Sequence, residues 1–122
     1  RILSSAASDV YKRQNYHNAT NLRVIVDRNR IQNDDFMDVQ MEIGDIGEKF
    51  RSFGWTVKEV DGHDMSSLVD VVDWANSEDG GPVAIVANTI KGNGVSFMEN
   101  NPSFHGMAPD DEELRIALEE LS

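Results

Sequence analysis

LRVIVDRNRIQ, residues 22–32, decides how the chain is read. Residues 22–27 form a short β-rich run, apolar apart from Arg23 and the closing Asp27, which suits a strand buried on both faces, as strands of a parallel sheet are. From Asp27 the chain turns to acid, base, amide and base. A strand that stops burying side chains and begins to present polar atoms is reaching for a partner. In α/β sheets that partner is a ligand at the carboxyl ends of the strands.

The rest of the chain alternates in the same way. WTVKEV (55–60) and VAIVAN (83–88) are two more strand-like runs, the second of the buried type. Asp45 is placed to cap DIGEKFRSF, where Ile46, Phe50 and Phe53 share a face before Gly54 ends the helix. Ser66 or Ser67 opens SLVDVVDWANSE, with Leu68, Val72 and Ala75 at helical spacing beside Val69 and Val71. The closing DDEELRIALEEL has acids in its first turn, where they favour the helix dipole, and a stripe of Leu114, Leu118 and Leu121. Residues 33–44 read as an acidic loop and 89–109 as a long loop with Gly, Asn and Pro. A structureless stretch of about 20 residues inside a compact domain is usually functional. Strands alternating with helices predict an α/β fold, a parallel sheet flanked by helices.

Composition narrows the partners. A chain of 122 residues is long enough for a core of its own. Eleven basic against 22 acidic residues give a net charge of −11, which repels nucleic acid and anionic membrane surfaces alike. A small phosphorylated ligand is still compatible, because a metal ion and a few donors reverse that field locally. The absence of cysteine excludes disulfides and thiolate metal sites. No apolar run approaches the roughly 20 residues that span a bilayer, and no secretory pattern opens the chain, so a cytoplasmic location is expected. RILSSAASDVYKRQ (1–14) follows neither period, and its later part resembles adapter read-through. It is read as a non-native or disordered segment, leaving the domain over 15–122.

Three segments carry candidate chemistry. The Asn29 amide and the Ile31 carbonyl are hard oxygen donors suited to Mg²⁺ or Ca²⁺, although capping a turn is the commoner task of an Asn after a strand. In TIKGNG (89–94), Gly92 and Gly94 allow close backbone approach and Lys91 offers charge to a phosphate. The segment matches neither the P-loop nor the dinucleotide fingerprint, and a plain turn is the alternative. His105, held in PSFHGMAP between prolines, can give or take a proton near neutral pH, or serve structure alone. His63 in VDGHD is assigned to the turn before a helix, with Asp61 or Asp64 capping.

Order and spacing together are more specific than any one segment. NLRVIVDRNRIQ, EKFRSFGWTVKEVDGHD and VANTIKGNGVSFMENNPSFHGMAPDDEEL resemble the thiamine diphosphate-binding domain of transketolases, especially the split N-terminal subunit that lacks the pyrimidine domain. The resemblance implies Mg²⁺ held by Asn29 and the Ile31 carbonyl, Ile90 or Lys91 against thiamine diphosphate, and His105 reaching the diphosphate and the substrate's reacting end. It implies transfer of a two-carbon ketol unit between sugar phosphates. The implied partners are a pyrimidine-domain subunit, in a homodimer or heterotetramer. It also implies a missing part: the Gly-Asp-Gly half of the motif belongs roughly 30 residues before Asn29, the length of a β–α–β unit. Counting back passes residue 1, so the chain is read as the C-terminal part of that domain and as inactive alone. Deoxyxylulose-phosphate synthase, of the same superfamily, and a non-catalytic α/β interaction module are the competing readings.

Overall fold

The computed structural model describes residues 16–17, 19–32, 35–36 and 44–122. The segment 1–14, and most of the expected 33–44 loop, lie outside them. In chain order the elements are β1 (Arg23–Arg28), β2 (Ile31–Gln32), β3 (Asp35–Phe36), α1 (Ile46–Ser52), β4 (Thr56–Asp61), α2 (Met65–Ser77), β5 (Val83–Asn88), a 3-10 turn (Pro102–Phe104) and α3 (Asp111–Glu120). Two compact units contain them: Arg1–Arg28 with Gly44–Asn88, and Asn29–Ile43 with Thr89–Ser122.

The first unit is a three-stranded parallel sheet in the order β1-β5-β4. Central β5 is buried from Val83 to Ala87, as its β-branched sequence requires. Its side chains alternate between two clusters. Ala84 joins Phe50 and Trp55 on the α1 face, with Leu22, Val24, Val26, Ile46, Phe53 and Val57 around them. Val83 and Ile85 join Val71 and Ala75 on the α2 face, bordered by Val60 and Trp74. The predicted α1 face is therefore the observed one. Asp45 caps that helix by accepting from the Glu48 N–H, and Gly54, at φ 80°, follows its end.

Four expectations are corrected here. β1 is not buried on both faces: Ile25 is 59% exposed, and no β1 side chain joins the apolar cluster under α2. The strand also runs one residue further than expected, so Asn29 follows it directly. α2 begins at Met65, not at a serine. Asp64 is the cap, accepting from the Ser66 and Ser67 N–H groups at 3.0 and 3.3 Å and from the Ser67 hydroxyl at 2.5 Å. The ionised carboxylate accepts all three bonds, and the Ser67 hydroxyl above all holds the Asp64 carboxyl below its ordinary value. The buried stripe of α2 is Val71 and Ala75 with Trp74 beside them, while Val69 and Val72 face outward.

Arg23 ties this unit together. Its guanidinium donates to the Ala75 carbonyl at 2.5 Å and to the Glu78 carbonyl, meeting acceptors left open at the end of α2.

In the second unit, β2 pairs antiparallel with β3, and β3 lies inside the stretch 33–44 expected to be loop. The long 89–109 loop is confirmed, with the 3-10 turn as its one helical piece. The leucine stripe of α3 is corrected: Leu114, Leu118 and Leu121 are 47%, 62% and 62% exposed, and Ala117 is the helix's buried residue. Periodicity marks an apolar face but does not supply the surface it packs on. None of the described helices is long and apolar enough to cross a membrane.

Candidate functional site

Every sequence-predicted site residue falls in the second unit. Asn29 is half-buried at the carboxyl end of β1, and its Oδ1 accepts the Ile31 N–H at 3.0 Å. That bond makes an Asx turn across Arg30, which takes φ 61°, a left-handed backbone that non-glycine residues adopt uncommonly. Turn capping is thus realised, but it does not exhaust the group. A carboxamide oxygen has two lone pairs, and the turn uses one. Among the described residues, no three His, Asp or Glu side chains are grouped to hold a metal. A cation here would draw on amide, main-chain and phosphate oxygens.

The glycine-rich stretch folds on itself. Gly92, at φ 75°, lies so close to the following limb that a Cβ would sit 2.5 Å from the Met98 carbonyl oxygen. The N–H groups of Asn93, Gly94 and Val95 donate to the Ile90 carbonyl, the Glu99 carboxylate and the Gly92 carbonyl, at 3.2, 3.0 and 3.1 Å. These amides are spent inside the loop. The close approach expected for a ligand is made to the chain's own backbone, and no row of free amides cradles a phosphate at 93–95.

What the fold leaves outward is side chain. The Lys91 carbonyl accepts the Asn100 N–H at 3.0 Å, fixing where its stem departs. Asn101 caps the 3-10 turn through the Ser103 N–H and ties back to the Phe97 carbonyl, and Phe97 packs on Phe104 with centroids 5.4 Å apart. His105 follows, its N–H bonded to the Pro102 carbonyl at 2.9 Å. Across this closed loop the Lys91 Nζ stands 3.3 Å from the His105 Nδ1. Ile90 is 39% exposed. Two pairs therefore emerge, Asn29 with Ile31 and Lys91 with His105, and no hydrogen bond joins one pair to the other among the described residues.

α3 is fastened to the same loop. The Glu120 carboxylate accepts the Ser96 N–H and hydroxyl, both at 2.6 Å. These bonds, the hydroxyl first, hold its carboxyl below the ordinary glutamate value. His63 serves the turn before α2, its N–H bonded to Asp61 Oδ1 at 2.9 Å.

The family described as the thiamine diphosphate binding domain of transketolase matches residues 3–122. The chain belongs to that family. An apulose-4-phosphate transketolase subunit of Actinobacillus succinogenes is 37% identical over 101 residues, 83% of this chain and 36% of that protein. The 6-deoxy-6-sulfo-D-fructose transketolase subunit SqwG of a Clostridium species is 35% identical over 100 residues, 82% of this chain and 36% of that protein. The chain thus spans about a third of the length of these curated relatives. The crystal structure of a Campylobacter jejuni transketolase superposes with a TM-score of 0.68 at 18% identity, over 92% of this chain and 21% of that one. The parallel sheet with flanking helices is accordingly a transketolase fold.

The Lys91–His105 contact was not legible beforehand. The two residues are 14 apart, and only the reversal of the loop between them, pinned at Gly92 and Asn100, makes them neighbours.

Proposed function

We propose that the chain is the diphosphate-anchoring part of a transketolase subunit that moves a two-carbon ketol unit between sugar phosphates. The observation that carries the reading is the Asn29–Ile31 turn, standing directly after a strand of a transketolase-type sheet with oxygen lone pairs to spare. Asn29 Oδ1 and the Ile31 carbonyl would hold Mg²⁺, and the ion would carry the diphosphate of thiamine diphosphate. Ile90 would line the cofactor with its apolar side chain, and Lys91 would place positive charge beside the phosphates in a chain of net charge −11. His105 would hold or pass a proton at the reacting end. When bound, the cofactor supplies the carbanion-stabilising chemistry that side chains cannot, while the protein orients and anchors it.

Relatives named as one subunit of a transketolase support a partner subunit bearing the pyrimidine domain, and their named sugars support a ketose donor with a terminal anionic group. With a third of the relatives' length, the 122-residue chain alone is expected to bind cofactor weakly and to transfer no ketol unit. Isothermal titration of thiamine diphosphate, with and without Mg²⁺, into the longer polypeptide carrying this sequence tests the reading. Heat that requires Mg²⁺ and is lost in Asn29→Ala is expected. Metal-independent heat, or none, overturns it; ketol transfer by the 122-residue chain would overturn only its expected inactivity alone.

A further inference from the structure

The geometry points to Lys91 as a positioning residue that fixes the tautomer of His105. The ammonium has three donors and no lone pair, so at 3.3 Å from Nδ1 it can only donate. Nδ1 must then accept, which leaves the imidazole proton on Nε2. His105 is exposed, so that Nε2–H faces outward as a donor. A ring able in principle to present either nitrogen is committed to presenting one.

Both stems are held by the backbone. The Lys91 carbonyl is bonded to Asn100, Gly92 lies against Met98, and His105 leaves a 3-10 turn capped by Asn101 and backed by the Phe97–Phe104 pair. Each anchor belongs to the same 91–105 loop. The side-chain contact therefore closes a frame that exists without it, and its geometry is repeatable. This arrangement also gives the internally spent amides at 93–95 a purpose: they build a rigid bracket for two side chains. The consequence for cofactor handling rests on the function proposed above. There His105 would meet an anionic oxygen as an Nε2–H donor, and Lys91 would act through the ring as well as by its charge. The pairing itself needs no cofactor.

The test is a long-range ¹H–¹⁵N spectrum of the whole 122-residue chain, ¹⁵N-labelled in its three histidines, with no ligand added. Near pH 8 ordinary imidazoles are neutral and lysine ammoniums charged. His105, assigned by His105→Gln, is expected to show a protonated Nε2 and an unprotonated Nδ1 displaced from the exposed-ring position by an accepted hydrogen bond. Lys91→Met should return Nδ1 to that position and let the second tautomer appear, while His17 and His63 stay fixed. Lys91→Arg, which keeps a cationic donor, should restore the displacement in part. A protonated Nδ1 in the unsubstituted chain overturns the proposal without any variant, and so does a His105 pattern indifferent to Lys91→Met. Because no metal or cofactor is present, failure here is separate from failure of the cofactor titration.

Discussion

β1 and β5 lie side by side in register, Ile25 opposite Ile85, with apolar sequences that read alike. Yet Ile85 is 2% exposed and Ile25 59%. The difference comes from neighbours. β5 has a hydrogen-bonded strand on each side and a helix over each face, while β1 has β5 on one side and, among the described residues, no strand on the other. A run of apolar letters says that a strand can be buried on both faces. Position in the sheet says whether it is. The same contrast recurs in α3, whose leucines are exposed, against α2, whose Val71 and Ala75 are not.

The largest effect should separate the two isoleucines. Ile85→Ala removes buried atoms from the centre of the α2-face cluster and should cost about 2–5 kcal/mol. Ile25→Ala should cost under about 0.5 kcal/mol, as exposed substitutions do. Urea unfolding followed by Trp55 and Trp74, the chain's two tryptophans and both in the first unit, measures each. Equal midpoint shifts for the two variants would break the comparison.

Two glycines sharpen it at the loop. Gly92 and Gly106 both take positive φ, 75° and 83°, so alanine at either meets backbone strain of about 1–2 kcal/mol. Only Gly92 adds a collision, with the Met98 carbonyl at 2.5 Å, whereas Gly106 faces open space. Gly92→Ala should therefore cost more than Gly106→Ala and speed hydrogen exchange of the Asn100 amide, which bonds to Lys91. A smaller loss, about 1 kcal/mol, is expected for Asp64→Ala, which removes the cap of α2. Ser66→Ala is its control, since only the main chain of Ser66 meets the cap. Equal costs would return the cap to the serines.

What the sequence made legible is what local pattern dictates. The α1 face of Ile46, Phe50 and Phe53, the parallel strands and the long loop after β5 all follow from period and breakers. The Asn29 turn was equally local, since an Asx turn reaches only two residues along the chain. The errors came where a partner far along the chain decides the outcome. β1's burial depends on strands and helices beyond its own segment. The glycines of 92–94 could equally have faced a ligand or the chain, and Met98 decides it. Lys91 and His105 meet only because the loop turns back. The cap of α2 was legible as one of two aspartates, Asp61 or Asp64, but the helix start was placed at a serine because Asp64 and the two serines are all good cap formers.

The smallest effect concerns two glutamates on one helix. Glu112 and Glu120 both have carboxyls held below the ordinary value of 4.5, but from different sources. Glu112 is held first by Arg115, three residues along the same helix, and Glu120 first by the Ser96 hydroxyl, 24 residues away. A depressed folded-state value stabilises the folded chain above the unfolded value, and that stabilisation is lost as pH falls through the folded one. The tie between α3 and the loop should thus be intact at neutral pH and released only below 4.5. Following the Ser96 amide shift through an acid titration should give a midpoint under that value, and Glu120→Gln should leave the shift flat. Ser96→Ala should raise the midpoint of Glu120, read from its side-chain carbon, and leave that of Glu112 where it was. If both midpoints rise together, the helix responds as one electrostatic unit, and the distinction between local and distant neighbours fails at the place where it is easiest to measure.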